Sequence, residues 1–246
     1  MDYTQGGVVP SAQYQDTLAN MAREAGALWV ADETVTALGR MGHGMAFQRG
    51  STRPDMVTMG KGITGGAVPA GALVLSREIV EEIGERRWMT SSTYRGHPLA
   101  VAAISTVVKV IDREGLVDRA ARLGESLGPD LLSIAASHPC VENIIGEGLS
   151  WLIHIAEPDR ALDEDEWMGD GQHSGISTAV HRTILDQGVL IPEFSGERLW
   201  IVPPLIISED DLAVALQALD NALTIGDQML ETAGVTGEFQ HTNAKG

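Results

Sequence analysis

The chain has 246 residues, 43% of them hydrophobic and 21% charged, an ordinary globular composition that excludes a disordered polymer and allows one large domain or two unequal lobes. Lys+Arg 17 against Asp+Glu 34 gives a net charge of −17, a field that repels phosphate backbones and anionic lipid and argues against nucleic-acid and membrane-surface partners. Cys140 is the single cysteine, which excludes an internal disulfide framework and a cysteine-rich zinc site; with no basic or apolar leader at the N-terminus and no stretch of roughly 20 apolar residues, a cytoplasmic protein is expected.

Tyr14, Leu18, Met21, Ala22 and Ala25 recur at spacings of three and four, which predicts an amphipathic helix from Ser11 to Gly26. Ala27–Ala31 is a short apolar run ending on Asp32 and Glu33 and reads as a parallel strand buried on both faces. Strands are also expected at Asp55–Met59, which runs into Gly60-Lys61-Gly62, and at Ala72–Leu75. Helices are expected at Ser76–Gly84, Pro98–Arg113 and Leu116–Ser137, the last with an interruption at Gly128-Pro129. Beyond residue 114 the pattern changes. Strands near Val141–Ile145 and at Trp151–Ala156, an acidic loop, a helix at Ser177–Gln187, strands at Val189 and Leu199, and a helix from Glu209 to about Leu230 make an α+β second lobe. The division is therefore 1–113 and 114–246, with a doubly wound α/β sheet in the first part, where ligands gather at the carboxyl ends of strands.

Three elements carry chemistry. Asp32 sits at such a carboxyl end, although an acid there is often only solvated or capping a turn. Lys61 stands between two glycines after an apolar strand; half buried, its amine would serve as a nucleophile toward an aldehyde or as a proton shuttle, against the plain alternative of a loop lysine. A P-loop is rejected, because Asp55 lies six residues before Lys61 where glycine is required and Gly62 stands where Ser or Thr is required. Thr90 to Pro98 is a hydroxyl-rich loop leading into a helix, able to bind a phosphate or simply to cap, and His97 before Pro98 reads as structural.

Taken in order, Asp32-Glu33 with Leu38-Gly39-Arg40-Met41-Gly42, Pro54-Asp55 with Met59-Gly60-Lys61-Gly62 and Gly65-Gly66, and Thr93-Tyr94-Arg95-Gly96-His97-Pro98 resemble the class III pyridoxal-phosphate aminotransferases. The likeness continues through Gly146-Glu147-Gly148-Leu149 and Val202-Pro203-Pro204-Leu205, and Gln5–Pro10 is similar to a stretch from the middle of that family; the resemblance thus implies a chain matching the family's C-terminal portion, without the part that carries its phosphate turn and ring-stacking aromatic. The resemblance implies a fold-type I transferase, with part of the large-domain sheet and an α+β C-terminal small domain. It implies pyridoxal 5'-phosphate bound covalently by Lys61, with Asp32 on the pyridine nitrogen, Thr34 in the place of the usual Val or Ile against the ring, and Ser92 and Thr93 at the phosphate. The Thr93 position serves across a dimer interface in the family, which implies a homodimer.

Substrates implied are an amine or ω-amino acid and an α-keto acid. Trp200 replaces the family's carboxylate-binding Arg, with Arg198 two residues upstream; Val35 and Ala37 also depart from the usual pattern. Alternatives left standing are a decarboxylase or aminomutase of the same fold, and a non-catalytic or incomplete partner subunit.

Overall fold

Ser11 turns the chain into its first helix by accepting the Tyr14 N–H on its hydroxyl at 3.1 Å, and α1 runs Ala12–Glu24 before Gly26, at φ 69°, ends it. The computed structural model describes residues 8–84, 91–157, 175–192 and 198–234. Its chain divides into two units, Pro10–Arg122 and Leu123–Gly246, each described in its own right. Among the described residues no helix is long and apolar enough to cross a membrane.

In the first unit, the apolar face expected of α1 is not covered: Tyr14, Leu18 and Met21 are 58%, 45% and 58% exposed, and only Ala19 is buried. What holds α1 is polar. Asp16 accepts the N–H and hydroxyl of both Ser51 and Thr52 at 2.6–3.0 Å, and Gln15 donates to the Phe47 carbonyl at 2.7 Å.

Strand β1 is Val30–Asp32, shorter than the expected Ala27–Ala31 run. Its late start has a cause, since the Trp29 N–H donates to the Asp55 carboxylate at 2.8 Å and the Trp29 carbonyl accepts from the Asp55 N–H at 2.9 Å. Nor is β1 buried on both faces, because Leu28 and Val30 are exposed. β1 pairs in parallel with β2 (Met56–Met59), which pairs antiparallel with β3 (Ala72–Leu75). The link from β2 to β3 holds only a 3-10 turn, Lys61–Thr64, and without a crossover helix the chain returns antiparallel.

Helices α2 (Arg77–Gly84) and α3 (Pro98–Arg113) follow, and α3 packs on the turn that begins at Lys61, with Val107 beside Gly65. His97 caps α3, its Nδ1 accepting the Leu99 N–H at 3.3 Å, and Pro98 occupies the first turn, as read from sequence.

α4 spans Leu116–Ser137 without the interruption expected at Gly128-Pro129. Gly124 and Gly128 are packing glycines there: an added Cβ would meet Gly148 Cα at 2.6 Å and the Trp151 ring at 2.8 Å, so the helix and the turn before β5 approach backbone to backbone.

The second unit's sheet is antiparallel, with β4 (Val141–Glu147), β5 (Ser150–Ile155) and β6 (Arg198–Ile201) in that order. α5 (Ile176–Asp186) packs on α6 (Glu209–Thr232), and their N-termini are held by the Glu157 carboxylate, which accepts from Ile176 and Ser177, and by the Ser208 hydroxyl, which accepts from Asp211. Leu127, Val141, Leu152, Ile155, Val180, Leu199 and Leu223 form a core that solvent does not reach.

No strand forms at Val189. Its N–H closes the end of α5 on the Ile184 carbonyl at 3.3 Å, behind Gly188 at φ 84°. Within this unit His138 ties the end of α4 to α6 through Asp227 at 2.6 Å and Asp220 at 3.1 Å, and the Asp227 carboxylate also accepts the Cys140 N–H. The expected acidic loop after Ala156 and the Gln5–Gly7 stretch lie outside the described residues.

Candidate active site

The parallel register places Asp32 opposite Thr58 at the carboxyl end of the first sheet, and β2 runs on through Gly60 into Lys61. Asp32 Oδ1 accepts two hydrogen bonds, from the Thr34 N–H at 3.0 Å and from the Thr58 hydroxyl at 2.9 Å. Its carboxyl is held below the ordinary carboxylate value, first by the Thr34 N–H, against partial desolvation, with the Thr34 and Thr58 hydroxyls and the Lys61 charge adding to it. The result is a carboxylate favoured in its ionised form, with Oδ1 engaged at the sheet edge.

Lys61 adopts φ 46°, a left-handed conformation costly to any residue with a Cβ. Gly60 before it lies against Thr34, whose Cγ2 is 3.6 Å from where a glycine Cβ would stand, so Asp32, Thr34, Thr58 and Lys61 share one edge of one sheet. A half-buried amine was expected, and the structure corrects this: Lys61 is exposed, because it opens a turn whose buried members are Ile63 and Thr64. A Cβ at Gly62 or Gly66 would meet nothing within 4 Å, which leaves open backbone on both sides of that turn.

Ser92 and Thr93 belong to the same unit, on an exposed turn where the Ser92 carbonyl accepts from Arg95. Trp200 and Arg198 belong to the second unit, two residues apart on β6 and opposite Leu152 and His154. The indole N–H of Trp200, which stands where the family's carboxylate-binding Arg is usual, donates to the Ser150 hydroxyl at 3.1 Å.

Two residues at the sheet edge have roles that the sequence reading did not assign. Thr58 was signalled only by standing three residues before Lys61 on the adjoining strand. Glu33 is buried, and its carboxylate accepts the N–H groups of Ala46 and Phe47 at 3.0 and 2.8 Å and the Thr36 hydroxyl, tying the loop after Asp32 down to the strand end. Among the described residues no group of His, Cys, Asp and Glu could hold a metal ion.

Comparison with known proteins gives concordant matches. The profile of the family described as Aminotransferase class-III matches residues 4–223. An acetylornithine aminotransferase of Mycobacterium leprae is 32% identical over 89% of this chain and 48% of its own length; a diaminobutyrate–2-oxoglutarate aminotransferase of Rhizobium meliloti is 31% identical over 85% and 44%. Among solved structures, an S-selective transaminase from an Arthrobacter species superposes with a TM-score of 0.84 at 33% identity, covering 96% of this chain and 50% of that one. A taurine:2-oxoglutarate aminotransferase from Bifidobacterium kashiwanohense, solved with PLP and glutamate, has a TM-score of 0.80 at 27% identity, covering 91% and 50%. The chain thus spans about half the length of the relatives it matches.

Proposed function

This chain belongs to the class III aminotransferases, and we propose that it supplies the cofactor-holding and proton-moving residues of a pyridoxal-phosphate enzyme that transfers an amino group from an amine or ω-amino acid to an α-keto acid. The observation that carries this reading is the meeting of Asp32 and Lys61 at one sheet edge, close enough for the lysine's charge to favour the ionised carboxylate.

The residues fit the cofactor. Asp32 Oδ2 offers an ionised acceptor for a pyridine N–H, Lys61 offers an exposed primary amine, and Ser92 and Thr93 offer exposed hydroxyls of the kind that donate to a phosphate. When bound, pyridoxal phosphate supplies the electron sink that makes a substrate C–H acidic. Asp32, as an anion, would hold the ring nitrogen protonated, and Lys61 Nζ would be the amine that holds the cofactor and moves a proton at the substrate carbon.

The division 1–113 and 114–246 belongs to this reading, supported by the end of α3 at Arg113 and the left-handed Gly115 after it, whereas the two compact units part inside α4, between Arg122 and Leu123. A homodimer, in which Thr93 serves the site of the second copy, and a cytoplasmic setting belong to the same reading. Trp200's engaged N–H leaves it an apolar surface, which favours amine donors over those needing a carboxylate grip there; Arg198, two residues along β6, is the residue that would supply such a grip.

A second reading, in which this chain is one part of a larger active unit, is favoured by the exposed apolar side chains of the first unit, Tyr14, Leu18, Met21, Leu73, Val74 and Leu99 among them. The test is to titrate the purified chain with pyridoxal phosphate. A visible band of lysine-bound cofactor is expected, absent from Lys61→Ala; a band that survives that substitution overturns the assignment. Turnover of an amine panel with pyruvate only after addition of the remaining half of a relative supports the second reading.

A further inference from the structure

We propose that Thr58 is a positioning residue for Asp32, fixing the rotamer of the carboxylate so that Oδ1 stays engaged within the sheet and Oδ2 faces outward to the ligand. The inference rests on the proposed cofactor reading for what Oδ2 meets, but not for how Asp32 is held.

The geometry is specific. Asp32 is the last residue of β1, and Thr58 is its partner in the parallel register, so their side chains emerge side by side on one face. The Thr58 hydroxyl donates to Oδ1 at 2.9 Å, and the same oxygen accepts the Thr34 N–H at 3.0 Å. Two donors converge on one oxygen from two directions, one along the chain and one across the sheet. A carboxylate held only by Thr34, through its N–H and hydroxyl, is restrained from one side, and terminal sp³–sp² torsions have broad wells. The bond from Thr58 on the neighbouring strand narrows that torsion from the other side.

Thr58 is half-buried and its hydroxyl has a free choice of rotor, so it donates to an anion and has no reason to accept from one. Among the described residues, the Lys61 charge acts favourably on Asp32, while the neighbouring Glu33 turns its carboxylate inward to Thr36, Ala46 and Phe47. A hydroxyl in this place therefore does what a charged partner could not do without competing for Oδ2.

The experiment uses the whole chain carrying ¹³C-labelled aspartate, with Asp32 assigned by substitution, and follows its carboxyl resonance through an acid titration with no cofactor present. Thr58→Val keeps the shape and the strand preference of threonine and deletes only the donor. The Asp32 midpoint is expected to move upward in Thr58→Val and to return in Thr58→Ser. Thr58→Ala gives the same comparison should valine disturb β2. An Asp32 midpoint unchanged in both Thr58→Val and Thr58→Ala overturns the proposal.

A second arm adds pyridoxal phosphate. The pH dependence of the visible band is expected to shift in Thr58→Val and to be restored in Thr58→Ser, with proton removal from a bound amine slowed about tenfold, the loss of about 1.4 kcal/mol. A band that depends on Lys61 yet ignores Thr58 sinks this inference and leaves the cofactor reading standing. An Asp32 titration that responds to Thr58 in a chain that gives no Lys61-dependent band does the reverse.

Discussion

The two units of this chain bury apolar surface to very different extents. In the second, Leu152, Val180, Ile155 and Leu223 are wholly inaccessible, and sheet and helices close on one another. The first carries the candidate site but keeps Tyr14, Leu73, Val74, Leu99 and Val101 about half exposed, and beside a small buried set that includes Met41, Val57 and Ile63 it is held at its margins by carboxylate pins. A chemistry-bearing edge can thus be locally ordered by hydrogen bonds while its apolar faces stay open, and the stability of the whole cannot be inferred from that of either unit.

The largest expected contrast is in thiol reactivity. Cys140 is buried in the second unit, its thiol pushed up far above the ordinary value by desolvation and by the Asp227 carboxylate, with its Sγ against the Leu223 carbonyl. Labelling by a thiol reagent should be about a thousandfold slower than in the denatured chain, the factor that about 4 kcal/mol of local stability supplies. Labelling at the denatured rate would erase the distinction between the units.

Two leucines sharpen it further. Leu152 on β5 is fully buried and Leu73 on β3 is 52% exposed. Leu152→Ala should cost about 2–5 kcal/mol and Leu73→Ala within about 0.5 kcal/mol, measured by hydrogen exchange so that each unit is read separately. Similar costs would mean that the apolar faces of the first unit are covered in solution.

The smallest effect is acid-linked and belongs to the first unit. The Asp16 carboxyl is held far below the ordinary value by the Thr52 hydroxyl first, then by the Ser51 and Thr52 N–H groups and the Ser51 hydroxyl. The folded chain therefore binds that proton more weakly than the unfolded chain. Its stabilising contribution is complete above the unfolded carboxyl value, about 3.9, and is lost as pH falls from there toward the folded one. Asp16→Asn should speed exchange of the Ser51 and Thr52 amides at neutral pH and flatten the acid dependence of α1 protection. Unchanged exchange would show that the pin holds nothing.

What could be read from the sequence follows the same line between local and long-range causes. Pro98 and Gly115 punctuate α3, and its limits were legible because both act on the backbone where they stand. The strand-end positions of Asp32 and Lys61 were legible in one dimension, but position alone left each open to a bland reading, and their roles came from the family resemblance. The late start of β1 was not, since it depends on the carboxylate of Asp55, 26 residues away. Thr58 was hidden for a related reason: periodicity gives a strand's faces but not its partner's register. At Val189 an apolar residue looked like a strand because the closing bond to Ile184 leaves no trace in hydrophobic pattern.

Lys61 is, in landscape terms, a point of frustration. Its φ of 46° is one that glycine adopts freely and lysine adopts at a cost of about 1–2 kcal/mol, although glycines stand on either side of it. The backbone at this position asks for a third glycine, and the sequence answers with an amine. Lys61→Gly should therefore raise the stability of the first unit, whereas Lys61→Ala should not. A substitution that improves the fold by deleting a side chain identifies that side chain as one the fold does not need, and so as one kept for what it does to other molecules.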